Sequence, residues 1–452
     1  MRPLRFILVL LVAALAIAGP ALAETKSELV QKSLKLFSRI TDDRYASIDY
    51  FTKRGKTDAI PLLIFAMRFI PERRDLEDAL VKITGEQIYG WNEWMMWQEA
   101  HPEIEAFDGF AKVHAEIHSK IVDPNFALFL GEGKKHEIRI EEIVWGGVKK
   151  DAIPALNHPR MLPADEATYL DDADLLFGIS INGDARAYPL RILDWHEMLN
   201  DTIGGIDVSL AYCTLCGSGI LFETKIDRFD KPLIFGSSGF LYRSNKLMYD
   251  TRTNSLWNQF TGRPVVGRLV GSGIELKTRP VVITSWGEWR REHPDTTVTD
   301  IETGFERDYS SGAAYADYFA SPDLMFPTIV DQSELKQKDY VFALRSSEIE
   351  KAWPLGLFEG GAVINDRAGA LDLVLVGDAA TRTVRAYRSE GFSFEKGASL
   401  SELRAADGST WRVTEDALVG PDGRTLGRLP GHIAYWFAWS GHFGDVGEVG
   451  GK

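Results

Sequence analysis

The stretch ARAYPLRILDWHEMLNDTIGGIDVSLAY, starting at Ala185, aligns without a gap to EKAWPLGLFEGGAVINDRAGALDLVLVG, starting at Glu350. Pro189 then faces Pro354, Asn200-Asp201 faces Asn365-Asp366, and Asp207 faces Asp372. Fainter echoes link NSLW to STWR, and SWGEW at Trp286 and Trp289 to YWFAW at Trp436 and Trp439. Self-similarity at a fixed offset is the mark of a repeated folding unit, not of one continuous architecture. Two related β-rich modules are therefore expected, at about 146–325 and 326–452, forming a pseudo-duplication. Their strand character comes from short apolar runs bounded by glycine, aspartate and asparagine, as in LLFGISINGDARAYPL, GGIDVSLAY and GILFETKI. The NGD connection suits a tight hairpin, because Asn and Gly tolerate the positive backbone angles such turns need.

Residues 24–145 carry a different period. SELVQKSLKLFSRI, TDAIPLLIFAMRFI and RDLEDALVKITG repeat apolar positions at three- and four-residue intervals, which predicts a helical domain. The fold class is then multidomain α+β. In WNEWMMWQEA, Trp91, Trp94 and Met95 fall near one helical stripe and read as packing residues. His114 and His118, four apart, share a helical face, but Ala115 stands where a zinc protease needs glutamate, so a packed or solvated face is the expectation. GEGKK at 131–135 lacks the spacing of a phosphate loop and reads as a turn.

Arg2 and Arg5, the apolar run FILVLLVAALAIA and the small-residue pattern ending at Ala23 read as a cleaved secretory leader, residues 1–23. A periplasmic or secreted protein is expected. No later segment approaches the roughly 20 consecutive apolar residues of a membrane-spanning helix, so no stable transmembrane segment is expected. With 51 Lys+Arg against 65 Asp+Glu the chain is acidic, which argues against nucleic acid as a partner.

The only two cysteines, Cys213 and Cys216, lie in AYCTLCGSGILF. Two cysteines cannot staple a chain of this length. A CxxCG turn can point both sulfurs at one ion, and two soft ligands favour zinc or cuprous copper. It can equally be a reversible thiol pair or a small disulfide, whose loop is too short to contribute much stability. Half a tetrahedral site needs further ligands. His196 in DWHEMLND is the first choice, with Asp194, Glu197, Met248 and His293 in reserve. At the repeat offset Asp378 faces Cys213, Thr381 faces Cys216 and Gly361 faces His196, so any chemistry belongs to the first module. A dense polar set in FGSSGFLYRSNKLMYDTRTNSLWNQFTG can either orient a polar small molecule or fasten turns. There Asp250 and Arg252 are the candidates for positioning substrate, with His196 moving protons.

INGDARAYPLRILDWHEMLNDTIGG, AYCTLCGSGILF, SGFLYRSNKLMYDTRTNSLWNQFTG and SWGEWRREHPDT, in that order, resemble the bacterial family of domain of unknown function 3179 over about 146–452. Thr214 replaces the proline of the usual YCPLCG. The resemblance highlights His196, Cys213, Cys216, Asn245, Asp250 and Trp257. The preceding helical stretch resembles the HEAT-like segment sometimes joined to this domain, which implies a protein-binding surface. The expectation is a periplasmic protein binding Cu(I) or Zn through Cys213, Cys216 and His196, for metal handling or metal-assisted redox work. The alternatives are an oxidoreductase or hydrolase of a polar small molecule in the same cleft, and a non-catalytic interaction scaffold.

Overall fold

The computed structural model describes residues 24–346, 349–443 and 448–450. The expected leader lies outside them. Six helices open the described chain: α1 (Lys26–Leu36), α2 (Thr41–Arg54), α3 (Ile60–Ala66), α4 (Arg73–Thr84), α5 (Trp91–Ala100) and α6 (Phe110–Ile117). Their ends follow from local chemistry. The Thr25 side chain accepts from Glu28 N to cap α1, and α2 and α4 each stop at a glycine in the left-handed conformation, Gly55 and Gly85. The expected apolar stripes are the buried ones: Leu76, Ala79 and Leu80 on α4, Trp94 and Met95 on α5. His114 and His118 lie inside this core against Phe65, and burial pushes His118 down to about 4, so it is neutral there. Among the described residues no helix is long and apolar enough to cross a membrane.

The helices pack on one face of a five-stranded sheet built from Ile143–Trp145, Phe235–Tyr242, Asn245–Asp250, Leu256–Asn258 and Arg263–Val266. Phe240, Leu247, Tyr249 and Leu256 of that sheet share the helices' core. Several further sheets follow. One runs Val282–Ser285, Leu175–Ile181, Asp184–Pro189, Thr297–Thr299, Met161–Pro163, with Thr297–Thr299 parallel to its neighbour Asp184–Pro189. Another runs His432–Tyr435, Tyr340–Arg345, Glu350–Pro354, Glu448–Val449, again with a parallel pair at Glu350–Pro354. A helix follows directly on Val282–Ser285 and on His432–Tyr435, at Trp286–Glu292 and Trp436–Phe443. The Asn182-Gly183 hairpin forms as expected, both residues at positive φ between the paired Ile181 and Asp184. Gly178 is glycine because a Cβ there would lie 2.4 Å from the Trp289 ring.

The aligned positions make aligned bonds. Asn200 Nδ2 donates to Phe235 O (2.8 Å) while Phe235 N donates back to Asn200 Oδ1 (3.0 Å). Asn365 makes the same reciprocal pair with Phe394, at 2.8 Å in both directions. Next door, Asp201 accepts from Tyr188 Oη (2.7 Å) and Arg186 Nη1 (2.8 Å). Asp366 accepts from Trp353 Nε1 (2.6 Å) and faces Lys351 Nζ at 3.2 Å. A side-chain amide that imitates a strand partner in this way satisfies two backbone groups at once. Asn200→Ala should therefore lower unfolding free energy by about 1–3 kcal/mol, the cost of unsatisfied buried groups, and Asn365→Ala, where the amide is exposed, by about 0.5–1.5 kcal/mol. Denaturant titration would check this, and a change within error at both positions would remove the amides from the framework.

Candidate functional site

Strand Ile206–Cys213 delivers Cys213 at its end, the turn Thr214–Cys216 follows, and Ser218–Glu223 returns antiparallel with Cys213 opposite Ser218. Gly217 makes the reversal possible. Its φ is +58°, and a Cβ would stand 2.9 Å from the Tyr340 ring. Cys213 and Cys216 are bonded to each other, with Cα atoms 5.2 Å apart, and are 2% and 0% exposed.

This overturns the expected thiophilic metal centre. Sulfurs joined in a disulfide offer no thiolate to zinc or copper. Nor does His196 turn toward them. Its Nδ1 lies 2.8 Å from Pro154 O and its Nε2 2.6 Å from Tyr309 Oη, so both ring nitrogens are committed. Thr303 Oγ1 completes that chain at 2.6 Å from Tyr309 Oη. Asp250 is fully buried and accepts from Thr253 Oγ1 (2.7 Å) and Trp257 Nε1 (2.9 Å), bonds that fasten its own turn. Arg252 pairs with Asp230 (2.5 Å) over the ring of Phe229. None of these three hydrogen-bonds to the disulfide.

Other residues do surround it. Asn245 Nδ2 donates to Cys216 Sγ (3.2 Å) and to Gln259 Oε1 (2.7 Å). Gln259 Nε2 in turn donates to Ala211 O (2.7 Å) and Ser218 O (2.9 Å), clamping the strands on either side of the turn. Glu197, at φ +56°, accepts from Thr214 Oγ1 (2.8 Å) and pairs with Lys246 Nζ (2.8 Å). Lys246 also donates to Tyr212 O (3.2 Å). Burial pushes the Lys246 ammonium down and the Glu197 charge pulls it back. Nearby, burial lifts Asp194 from its ordinary 3.8 to about 7, while Tyr212 Oη donates to it at 3.0 Å. The stacked rings of Tyr340 and Tyr435 (4.3 Å) close the opposite side, with the Arg382 guanidinium 4.4 Å above Tyr340. Disulfide, amide pair, ion pair and a carboxyl titrating near neutrality thus share one buried region.

The DWHEMLND, CTLCG and RSNKL segments assemble here in the order the sequence motifs run, and a family model described as protein of unknown function (DUF3179) matches residues 150–446. The chain belongs to the DUF3179 family. No curated protein and no solved structure matches it. The DUF3179 match leaves α1–α6 outside. Of the residues that resemblance singled out, Asn245 touches a cysteine and Trp257 holds Asp250. Sequence reasoning missed Lys246, Gln259, Tyr340 and Tyr435. The available signal for Lys246 was a charge leading directly into the apolar run LMY of the strand NKLMYD.

A candidate metal-coordinating cluster does exist in the DUF3179 domain, without cysteine. Glu292, His293 and Glu415 bring one ligand atom each within 4.8 Å of one another. Arg385 bridges both glutamates, at 2.9 Å and 2.7 Å, and Arg428 pairs with Glu415 as well. Two guanidiniums already supply the positive charge a cation would bring.

Two outcomes follow from the buried charges. Lys246→Met leaves Glu197 buried without its cation and should cost about 3–5 kcal/mol. The double variant with Glu197→Gln should recover part of this, measured by urea unfolding. Asp194 binds its proton more tightly folded than unfolded, so its stabilising contribution is complete below pH 4 and is lost as pH rises toward 7. The unfolding midpoint of Asp194→Asn relative to wild type should accordingly be higher at pH 8 than at pH 5. An unchanged difference would place the Asp194 carboxyl in ordinary solvent.

Proposed function

We propose that the DUF3179 domain of this chain exchanges an electron pair with dithiols through the Cys213–Cys216 disulfide, without a metal. The observation that carries this reading is the Asn245 amide donating to Cys216 Sγ inside a pocket of buried ionisable groups. A disulfide spanning so few residues contributes only about 2 kcal/mol through loop entropy, so holding Lys246, Glu197 and Asp194 out of water beside it is costly unless they serve its chemistry.

In the step this geometry supports, a thiolate of the incoming dithiol attacks Cys213 Sγ. The sulfur–sulfur bond breaks and Cys216 leaves as a thiolate. The Asn245 N–H is placed to hold that negative charge. The dithiol's second thiolate then attacks its own sulfur in the mixed disulfide, releasing Cys213. The dithiol is oxidised to a disulfide, the protein disulfide is reduced by two electrons, and the two protons the dithiol gives up pass to the two protein thiolates. Asp194, poised near neutrality, and the Glu197–Lys246 pair are the proton-handling groups nearest the turn. The reverse sequence oxidises the protein.

An exported location suits this chemistry, since disulfides persist in oxidising compartments, and the leader-like N-terminus supports it. The matched amide and acid bonds at Asn200/Asn365 and Asp201/Asp366, with the like strand orders, support two modules related by duplication. The second then acts as companion, presenting Tyr340, Arg382 and Tyr435 to the first. Burial of both sulfurs favours one competing reading, a purely structural clip.

Equilibration of the folded protein with dithiothreitol redox buffers, followed by alkylation and mass measurement, separates the two. Reversible reduction of the folded protein is expected, lowering its stability by no more than the roughly 2 kcal/mol of the small loop. Asn245→Ala should shift the equilibrium toward the disulfide by roughly ten- to hundredfold, as loss of a hydrogen bond to a charged group implies. Reduction that occurs only together with global unfolding would establish the clip and end the redox reading.

A further inference from the structure

Residues 311–338 connect the two β modules, and among the described residues they contribute no strand to any sheet; their only helix is the five-residue Ala316–Ala320. Their position is set instead by contacts with three other parts of the chain. At the disulfide turn, Tyr318 Oη donates to Leu215 O at 2.7 Å, the carbonyl between the two cysteines. Tyr315, held at a positive φ of 58°, lies beside Thr214 and Glu197. Inside the segment, Lys338 Nζ donates to Tyr318 O and to Ser321 O (2.7 Å) and sits 3.5 Å over the Tyr318 ring, while from the C-terminal region Phe437 N donates to Gln337 O at 2.9 Å. Trp436 Nε1 donates to Asp331 O at 2.5 Å.

The third part is the helical region. Glu99, on α5, accepts from Ile329 N and Thr328 Oγ1, each at 3.3 Å. The Arg68 guanidinium lies 4.4 Å from the Trp91 ring and 5.7 Å from that of Phe326. Ser244, next to Asn245, donates to Phe326 O at 3.2 Å. Glu99 is more than a filler of this interface. Burial pushes its carboxyl up to about 7, so the carboxylate is held there at an energetic cost that its contacts with Thr328, Ile329 and Arg243 offset only in part. A run of chain with no sheet bonds of its own, pinned at both ends and once in the middle, has the mechanics of a hinged cover.

We propose that 311–338 is a lid over the Cys213–Cys216 disulfide, and that the helical region controls thiol access by latching the lid through Glu99 on Thr328 and Ile329. This rests on the redox reading above and gives the helices a role in it. Tyr318 is the contact that seals the turn, and Glu99 is the contact that a partner on the helical surface could release. The lid changes the rate of exchange and leaves its equilibrium untouched, because neither contact touches sulfur.

The test follows reduction of the folded full chain by dithiothreitol, with alkylation of the freed thiols read by mass. Glu99→Leu removes the latch while Arg243 keeps Glu142 at 2.9 Å. It should accelerate reduction roughly three- to tenfold, the range expected for loss of one or two hydrogen bonds. Tyr318→Phe should do the same. Both should leave the equilibrium dithiol fraction as in wild type. Hydrogen exchange should rise across 311–338 in Glu99→Leu, with α5 and the strands around the turn unchanged. Ready reduction at the wild-type rate in both variants would overturn the lid and leave the redox reading standing. Reduction confined to the rate of global unfolding in every variant would remove both.

Discussion

An ammonium group buried from water needs a partner, and the Lys246–Glu197 pair is the constraint around which this site is organised. Lys246 belongs to the sheet that carries the helices, and Glu197 to the turn after the short helix Leu190–Leu193. Joining them draws two sheets together. The remaining donors of Lys246 reach the Tyr212 carbonyl, and Glu197's other oxygen takes the Thr214 hydroxyl. The cysteine turn is thereby held from both sides. Glu197 adopts a backbone conformation that side-chain-bearing residues rarely take, which is tolerated because these contacts over-determine it.

Much of the framework was legible in the residues. Three- and four-residue apolar spacing marked the helices, and Asn182-Gly183 marked its hairpin. The two aligned stretches pointed to positions that make like bonds: Asn200 and Asn365, Asp201 and Asp366. They also directed attention to the stretch that leads into the cysteines. Boundaries were less legible. Ile143–Trp145 directly follows the helical stretch yet pairs with Phe235–Tyr242, a contact set by distant residues.

The site was readable only in part, for a physical reason. Spacing shows which side chains leave the backbone together, not which way a turn aims them. His196 stands next to Glu197, but the turn sends its ring to Pro154 and Tyr309 while Glu197 faces Thr214. Asp250 and Arg252, adjacent to the motif that supplies Asn245, serve a turn and a surface ion pair. Lys246 carries no local mark of burial, yet every residue of its strand Asn245–Asp250 is buried. Nothing local to CTLCG distinguishes a metal knuckle from a disulfide, since both need the same short turn and the same glycine. The side chains that surround the turn, Asn245, Gln259, Tyr340 and Tyr435, are all remote from it in sequence.

The cover over the cysteine turn has an implication for how the molecule is made. Residues 311–338 take their shape from α5, from the cysteine turn and from the strands that precede Trp436, so long-range contacts must exist before this segment has anything to fit. Closure is consequently a late event in maturation. The two cysteines are then reachable by solutes while the turn is still open, and the segment packs over the bond afterwards. Bond formation and final packing are thereby separable steps in folding, each with its own rate.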